Sequence, residues 1–334
     1  MKKVKKLMAL LLALTLMSTV IIGCGSNNEQ AAEPVEGGEV VEQSGLPEGY
    51  PSQDMIGMVP YGAGGGTDNI ARAVSNNIDI PVNVAWSIVT GASGLTGSTE
   101  FSTWPGDGYH IMSQSPLDLM CYYLGGATDE KLWEKMEPIG CMVIDPGIVI
   151  TNQESGIKDF EDLKTRNPAD INCAVVTNRQ MVGAMKMFEE FGMDGINMVP
   201  FSSGSDAITA ILGNQIDIAV LQIGDLGDTV ASVNPLLIID EKRCEKVPDV
   251  PCTEELGVQV VGAQYRALFL AGGTDPAIVQ YWSDKCAELQ SDPDYLKDLE
   301  GFGFIQGFLT ADELKAKMDE WYPEFEELFA KYGV

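Results

Sequence analysis

Residues 55–76 read MIGMVPYGAGGGTDNIARAVSN. The apolar run 55–59 has the length of a buried strand, and Pro60 ends it because proline has no N–H to give to a sheet ladder. Gly62, Gly64, Gly65 and Gly66 follow, and a backbone without Cβ can take positive φ and approach a ligand closely. Thr67 or Asp68 is expected to cap a helix in which Ile70, Ala71, Val74 and Ile78 recur at helical spacing. Strand, bare loop and helix N-terminus gather unpaired N–H groups and the positive end of a helix dipole at one point, which predicts an anion site. The phosphate motifs do not fit: a P-loop needs Lys-Ser/Thr where Thr67-Asp68 stands, and a dinucleotide fingerprint needs glycine at Thr67. Taken alone, the same glycines also serve a simple chain reversal.

Outward from this stretch, short apolar runs alternate with amphipathic segments, the pattern of an α/β fold built on parallel strands. A strand expected at 82–89 leads into Gly91-Ala92-Ser93-Gly94-Leu95-Thr96-Gly97, a second bare loop opening a helix. A strand at 109–113 precedes Ser115-Pro116, with proline at a favoured first helical position. The apolar segment 137–150 breaks at Asp145-Pro146-Gly147, the expected first crossing between two lobes. The alternation then restarts, with strands at 171–176, 196–200, 216–221 and 236–239, a helix at 179–191, and a helix at 207–212 opened by Ser202-Ser203-Gly204-Ser205-Asp206. A last strand is expected at 267–271 and a helix from Pro276. Thr310 with Glu313 forms a capping box before a C-terminal helix whose Trp321, Phe325 and Phe329 make a packing stripe. The expectation is therefore two lobes, each a mostly parallel sheet flanked by helices, with 50–146 and 240–334 in the first and 147–239 in the second.

Ahead of the fold, Lys2, Lys3, Lys5 and Lys6 precede an apolar run at 7–20, the pattern of an export signal, too short for an ordinary membrane span. Ile21-Ile22-Gly23-Cys24 resembles a bacterial lipobox, so 1–23 is expected to be removed and Cys24 to carry lipid. Residues 24–49 are polar, acidic and poor in large apolar side chains, a flexible tether. The chain has 21 Lys plus Arg against 49 Asp plus Glu, a formal net charge of −28. Such a surface repels nucleic acid and anionic lipid, so contact with the membrane is expected only through the lipid anchor, and an anion must be held in a locally positive cleft. Cys121, Cys141, Cys173, Cys244, Cys252 and Cys286 remain after Cys24, and their pairing is open on sequence alone. With His110 the one histidine and no CxxC, a zinc site or a His-dependent triad has little material. No catalytic residue, metal or cofactor is expected; Gly91-Ala92-Ser93-Gly94 lacks both the glycine frame and the partner histidine of a hydrolase elbow.

The order of several short motifs carries a resemblance. Gly49-Tyr50-Pro51, Val59-Pro60-Tyr61, Ala63-Gly64-Gly65, Gly91-Ala92-Ser93-Gly94 and Gly106-Asp107-Gly108-Tyr109 resemble successive signatures of the substrate-binding proteins of tripartite tricarboxylate transporters, the Bug family. Val199-Pro200-Phe201, residues 210–217 (AILGNQID) and Pro248-Asp249-Val250-Pro251 with Thr253-Glu254-Glu255-Leu256-Gly257 follow in that family's order. The sequence departs from the family at Thr177-Asn178 and Met181, at 86–90, and at Cys252. The resemblance implies a two-lobed, type II periplasmic-binding fold that closes on a small carboxylate. It also implies an extracytoplasmic monomer, anchored at Cys24 to the outer face of the bacterial membrane, that hands its ligand to membrane permease subunits.

Both lines of reasoning place the carboxylate on main-chain amides. The expected first-lobe residues are Tyr61, Gly64, Gly65 and Gly66, with Ser93 and Ser115 at neighbouring loop ends. In the second lobe they are Thr177, Asn178, Arg179, Ser202, Ser203 and Gly204, all at strand-to-helix junctions, where open α/β sheets hold their ligands. Micromolar binding needs roughly 8 kcal/mol, and hydrogen bonds to a charged group contribute about 1.5–3 kcal/mol each, so four or five such donors suffice and Arg179 is optional. The competing reading is a binding protein of an ABC-type or sensor system for another small metabolite such as an amino acid, since one fold serves many systems.

Overall fold

The computed structural model describes residues 45–260 and 262–333. The leader, Cys24 and the tether through residue 44 lie outside them. In chain order the strands are β1 (Met55–Val59), β2 (Val84–Ile88), β3 (His110–Gln114), β4 (Met136–Asp145), β5 (Gly147–Asn152), β6 (Asn172–Val175), β7 (Asn197–Pro200), β8 (Ile218–Gln222), β9 (Val233–Ile239), β10 (Gln264–Ala271) and β11 (Gln306–Thr310). The α-helices are α1 (Gly66–Asn77), α2 (Leu95–Phe101), α3 (Pro116–Leu124), α4 (Phe160–Lys164), α5 (Asn178–Glu190), α6 (Gly204–Leu212), α7 (Ile223–Leu226), α8 (Pro276–Leu289), α9 (Pro293–Gly301) and α10 (Ala311–Tyr332).

The strands form two sheets, a six-stranded one in the order β11-β4-β10-β3-β1-β2 and a five-stranded one in the order β7-β6-β8-β5-β9. Each is apolar on both faces, which is why its strands read as unbroken hydrophobic runs. In the first sheet Met58, Met112 and Phe269 face α3 and the α10 stripe of Trp321, Phe325 and Phe329. Met55, Ile111, Leu268 and Leu270 face the opposite way, towards Ile70 and Val74 of α1 and Trp282 of α8. In the second sheet Val149, Cys173, Val175 and Val220 pack on Phe160, Met187 and Phe188, and Ile148, Ala174, Ala219 and Leu221 on Ile208 and Ile211.

The two lobes of mixed α/β structure agree with the expected fold, and the strand directions correct one detail. β1 pairs in parallel with β2 and β3, but β10 is antiparallel to both β3 and β4, and β11 is antiparallel to β4. In the second sheet β6 is parallel to β7 and β8, while β5 is antiparallel to β8 and β9. The sheets are thus mixed rather than mostly parallel, because β4 and β5 carry the chain out of the first lobe and β9 and β10 bring it back, so the outgoing and returning strands lie side by side and antiparallel in each sheet. The first crossing is one residue long, between Asp145 and Gly147. After β9 the chain does not return at 240: Cys252 bridges Ile238, and Cys244, Cys252, Val247 and Val250 join the second lobe's core. Helix α1 also begins earlier than expected. Its N-cap is Gly65 rather than Thr67 or Asp68, with no side-chain cap. The six cysteines after Cys24 are free and buried; at this size two hydrophobic cores hold the chain without staples.

Candidate functional site

A cleft of about 550 Å³ lies where the carboxyl ends of β1, β2 and β3 face those of β6, β7 and β8. Tyr61, Gly65, Gly66 and Ser93 line it from the first lobe, and Thr177, Asn178, Arg179, Ser202, Ser203 and Gly204 from the second. Gly64 and Ser115, also expected there, do not. The Gly64 N–H donates to Asp68 Oδ2 at 2.8 Å, and Ser115 is buried at the start of α3, its N–H given to Gln114 Oε1 at 2.7 Å.

On the first-lobe wall, α1 opens at Gly65 with no side chain on its first-turn amides, which leaves donors and a positive helix end facing the cleft. Beside it, Ala92 and Ser93 hold φ of +46° and +55°, left-handed conformations that cost about 1–3 kcal/mol each for residues other than glycine. Tyr122 helps fix them, its hydroxyl donating to Ser93 O at 2.6 Å. Tyr61 lines the cleft, but its hydroxyl donates to Asp118 Oδ2 at 3.0 Å and lies 3.1 Å from the Tyr122 hydroxyl. Burial first, then the Asp118 charge, hold the Tyr61 phenol far above its ordinary pKa, so it stays a neutral donor.

On the second-lobe wall the helix starts are already filled. Thr177 accepts from the Gln180 N–H while Gln180 reaches back to the Thr177 N–H, a capping box. Ser203 Oγ accepts from the Asp206 N–H at 3.1 Å, and Ser202 Oγ donates to Asp206 Oδ2 at 2.8 Å. What this wall adds is charge. Arg179 is 3 % exposed, with its Nη1 towards Ala263 O at 3.4 Å and its Nη2 towards Gln222 Oε1 at 3.5 Å. Its Nε lies 3.7 Å from Asp118 Oδ1, too far for a hydrogen bond, and has no other partner.

Sequence reading missed the floor of the cleft, which β10 supplies. Because β10 is antiparallel to β3, its beginning lies level with the carboxyl end of β3, Ala267 opposite Gln114. Gln264 and Arg266 both line the cleft. Arg266, 8 % exposed, pairs through Nη2 with Asp145 Oδ2 at 3.0 Å and stacks 4.9 Å above the Phe304 ring centre. Its guanidinium rests on Gly66, where any Cβ would collide with it. A cation against the positive end of a helix is an arrangement that an anion relieves. Arg179 and Arg266 are the cationic side chains of the lining. Against them stand Asp118, already engaged by Tyr61 and Gln264, and Asp225 at the start of α7. Asp225 is open to the cleft but crowded by protein, and that crowding, then Asp145, pushes its pKa up against the opposing pull of Arg266, the Gln222 N–H and Arg179. The water of the open cleft tempers this shift.

Comparison with known proteins fits this architecture. The family model TctC, described as the tripartite tricarboxylate transporter family receptor, matches residues 70–317. Protein BugT of Bordetella pertussis is 24 % identical over 242 residues, 69 % of this chain and 74 % of its own length. A TctC solute binding protein from Polaromonas superposes with a TM-score of 0.72 at 22 % identity, over 84 % of this chain and 99 % of that one. MatC from Rhodopseudomonas palustris, solved with bound malate, superposes with a TM-score of 0.68 at 20 % identity, over 84 % and 99 %.

Proposed function

The chain belongs to the tripartite tricarboxylate transporter receptor family, and from that premise we propose that it captures a small di- or tricarboxylate between its lobes and delivers it to membrane permease subunits. It is a receptor and not an enzyme. The observation that carries the ligand class is the meeting, in one cleft, of the uncapped N-terminus of α1 with two buried arginines, each keeping an unpartnered Nε–H. In this reading Gly65, Gly66 and Arg266 hold one carboxylate. Arg179 answers the ligand from the second lobe, while Tyr61, Ser93, Thr177, Asn178, Ser202, Ser203 and Gly204 shape the walls. The malate in MatC supports a carboxylate of this size. The protein works outside the membrane as a monomer, held to the outer face of the bacterial membrane by lipid on Cys24.

A ligand that binds the folded state alone raises apparent stability. Thermal denaturation against a panel of di- and tricarboxylates is therefore expected to show an upward shift of several degrees with at least one of them. A shift with an uncharged sugar or a cation, and none across the carboxylates, refutes the reading.

A further inference from the structure

Gln264 and Arg266 are alternate residues of β10, so their side chains leave the same face of the strand, and both line the cleft. Each carries a buried polar atom without a partner, Oε1 of Gln264 and the inner guanidinium nitrogen Nε of Arg266. The orientation of the Gln264 amide is set by chemistry. Its other end faces Asp118 Oδ2 at 3.1 Å, and a carboxylate requires the NH₂ there, which leaves the carbonyl oxygen as the open group. An unsatisfied buried acceptor and an unsatisfied buried donor thus sit two residues apart on one face of β10. Buried polar atoms are rarely left so, because each forfeits its hydrogen bonds to water on folding.

We infer that Gln264 and Arg266 form the specificity pair of the carboxylate site. Arg266, with the α1 amides at Gly66, takes the carboxylate. Gln264 Oε1 accepts a hydrogen bond from a hydroxyl or ammonium on the adjacent carbon, so the preferred ligand carries a donor group α to its carboxylate. This rests on the carboxylate reading and adds the discriminating group.

The test is isothermal titration with three probes that share one four-carbon diacid skeleton and differ at carbon 2: succinate (hydrogen), malate (hydroxyl) and aspartate (ammonium). Malate, aspartate or both are expected to bind about tenfold or more tightly than succinate, since the analogue lacking the donor leaves Oε1 unpaired; the tighter of the two identifies the donor. Gln264→Met, which keeps the volume but also gives up the bond to Asp118, is read as a ratio: the affinities of malate and aspartate relative to succinate are expected to fall to about one, whatever happens to the affinity for succinate itself. Should that variant fail to melt cooperatively, Gln264→Asn withdraws the acceptor and is expected to erase the same preference. Arg266→Gln combined with Asp145→Asn, which leaves no buried charge unpaired, is expected to weaken all three probes on the order of a hundredfold.

Equal affinity for the three probes, or a preference that survives loss of the Gln264 acceptor, overturns the inference. So does failure of all three to bind. In that case a shift with longer diacids or tricarboxylates leaves the broader reading standing, and silence across those as well removes both.

Discussion

The two walls of the cleft are built from the same parts and used differently. Each lobe ends parallel strands at helix N-termini, yet α5 and α6 are closed by the side chains of Thr177 and Ser203, whereas α1 is left open at Gly65. Capping spends the orphan amides of a helix start inside the protein; a glycine in place of the capping side chain forgoes only about 0.3 kcal/mol and keeps those amides for something else. The open helix start is also the one that carries an arginine against its first residue, Arg266 on Gly66. The lesson is that a helix N-terminus aimed at a cleft is not in itself an anion site. What separates a binding terminus from a structural one is whether the chain has already filled it.

The largest effect is expected where this difference is sharpest. Gly66→Ala puts a methyl group into the Arg266 guanidinium, which Asp145 and Phe304 hold in place. Carboxylate affinity should fall on the order of a hundredfold, the scale for disturbing a buried, hydrogen-bonded charge pair at an interface. In the matching change in the second lobe, Gly204→Ala, the atoms nearest the new methyl group belong to Asp225, its Cβ and Cγ both at 3.2 Å. A slight shift of Asp225 accommodates it, so affinity should change by less than about threefold. Titration of both variants with the same carboxylate decides the matter; equal losses would mean that the two walls are equivalent after all.

How much of this was legible in the sequence follows from the same contrast. The glycine loop before α1, the serine-led opening of α6 and most of the apolar strands are local patterns legible in spacing and composition, although α1 opens at Gly65 rather than at the expected Thr67 or Asp68 and the strand Gln306–Thr310 gave no such run. The boundaries of β10 were not legible. Reading its apolar run gives a strand from Ala267, while the strand begins at Gln264, because Gln264 and Arg266 break the hydrophobic pattern that defines a buried strand. Only the antiparallel pairing of β10 with β3 brings those residues to the cleft, and no spacing along the chain encodes a pairing over such a separation. Polar residues alternating with apolar ones just before a recognised strand were the available signal. Gly64 fails for a similar reason: that its N–H would be claimed by Asp68 depends on the turn of the loop, not on composition.

A smaller effect separates stability from binding at α5. Thr177→Ala removes the capping box and should cost about 1 kcal/mol, or a melting temperature lower by about 2 °C in a protein of this size. Because the Thr177 oxygen already serves the Gln180 N–H, carboxylate affinity should stay within about twofold. A large loss of affinity with unchanged melting would show that the ligand displaces the cap, and the distinction between filled and open helix starts would then fail.

The smallest effect is at Asp225, where the two walls meet electrostatically. Asp145, Arg266 and Arg179 are the charged neighbours acting on it, with the Gln222 N–H at its carboxylate. Its pKa in the folded protein is raised, so the folded state binds this proton more readily than the unfolded one. Linkage then makes its contribution to stability greatest on the acid side. That contribution falls as pH rises from the ordinary aspartate value near about 4 through the raised one, and is level above it. The proton also removes a negative charge from the cleft, so anion affinity should decline over the same interval. Asp225→Asn keeps the shape and deletes the titration. The difference in melting temperature between the native protein and this variant, and the ratio of their affinities for one fixed dicarboxylate, should both drift with pH in that interval and flatten beyond it. A pH-independent difference would mean that Asp225 is charged throughout, and that Arg179 and Arg266 draw the anion against two facing carboxylates rather than one.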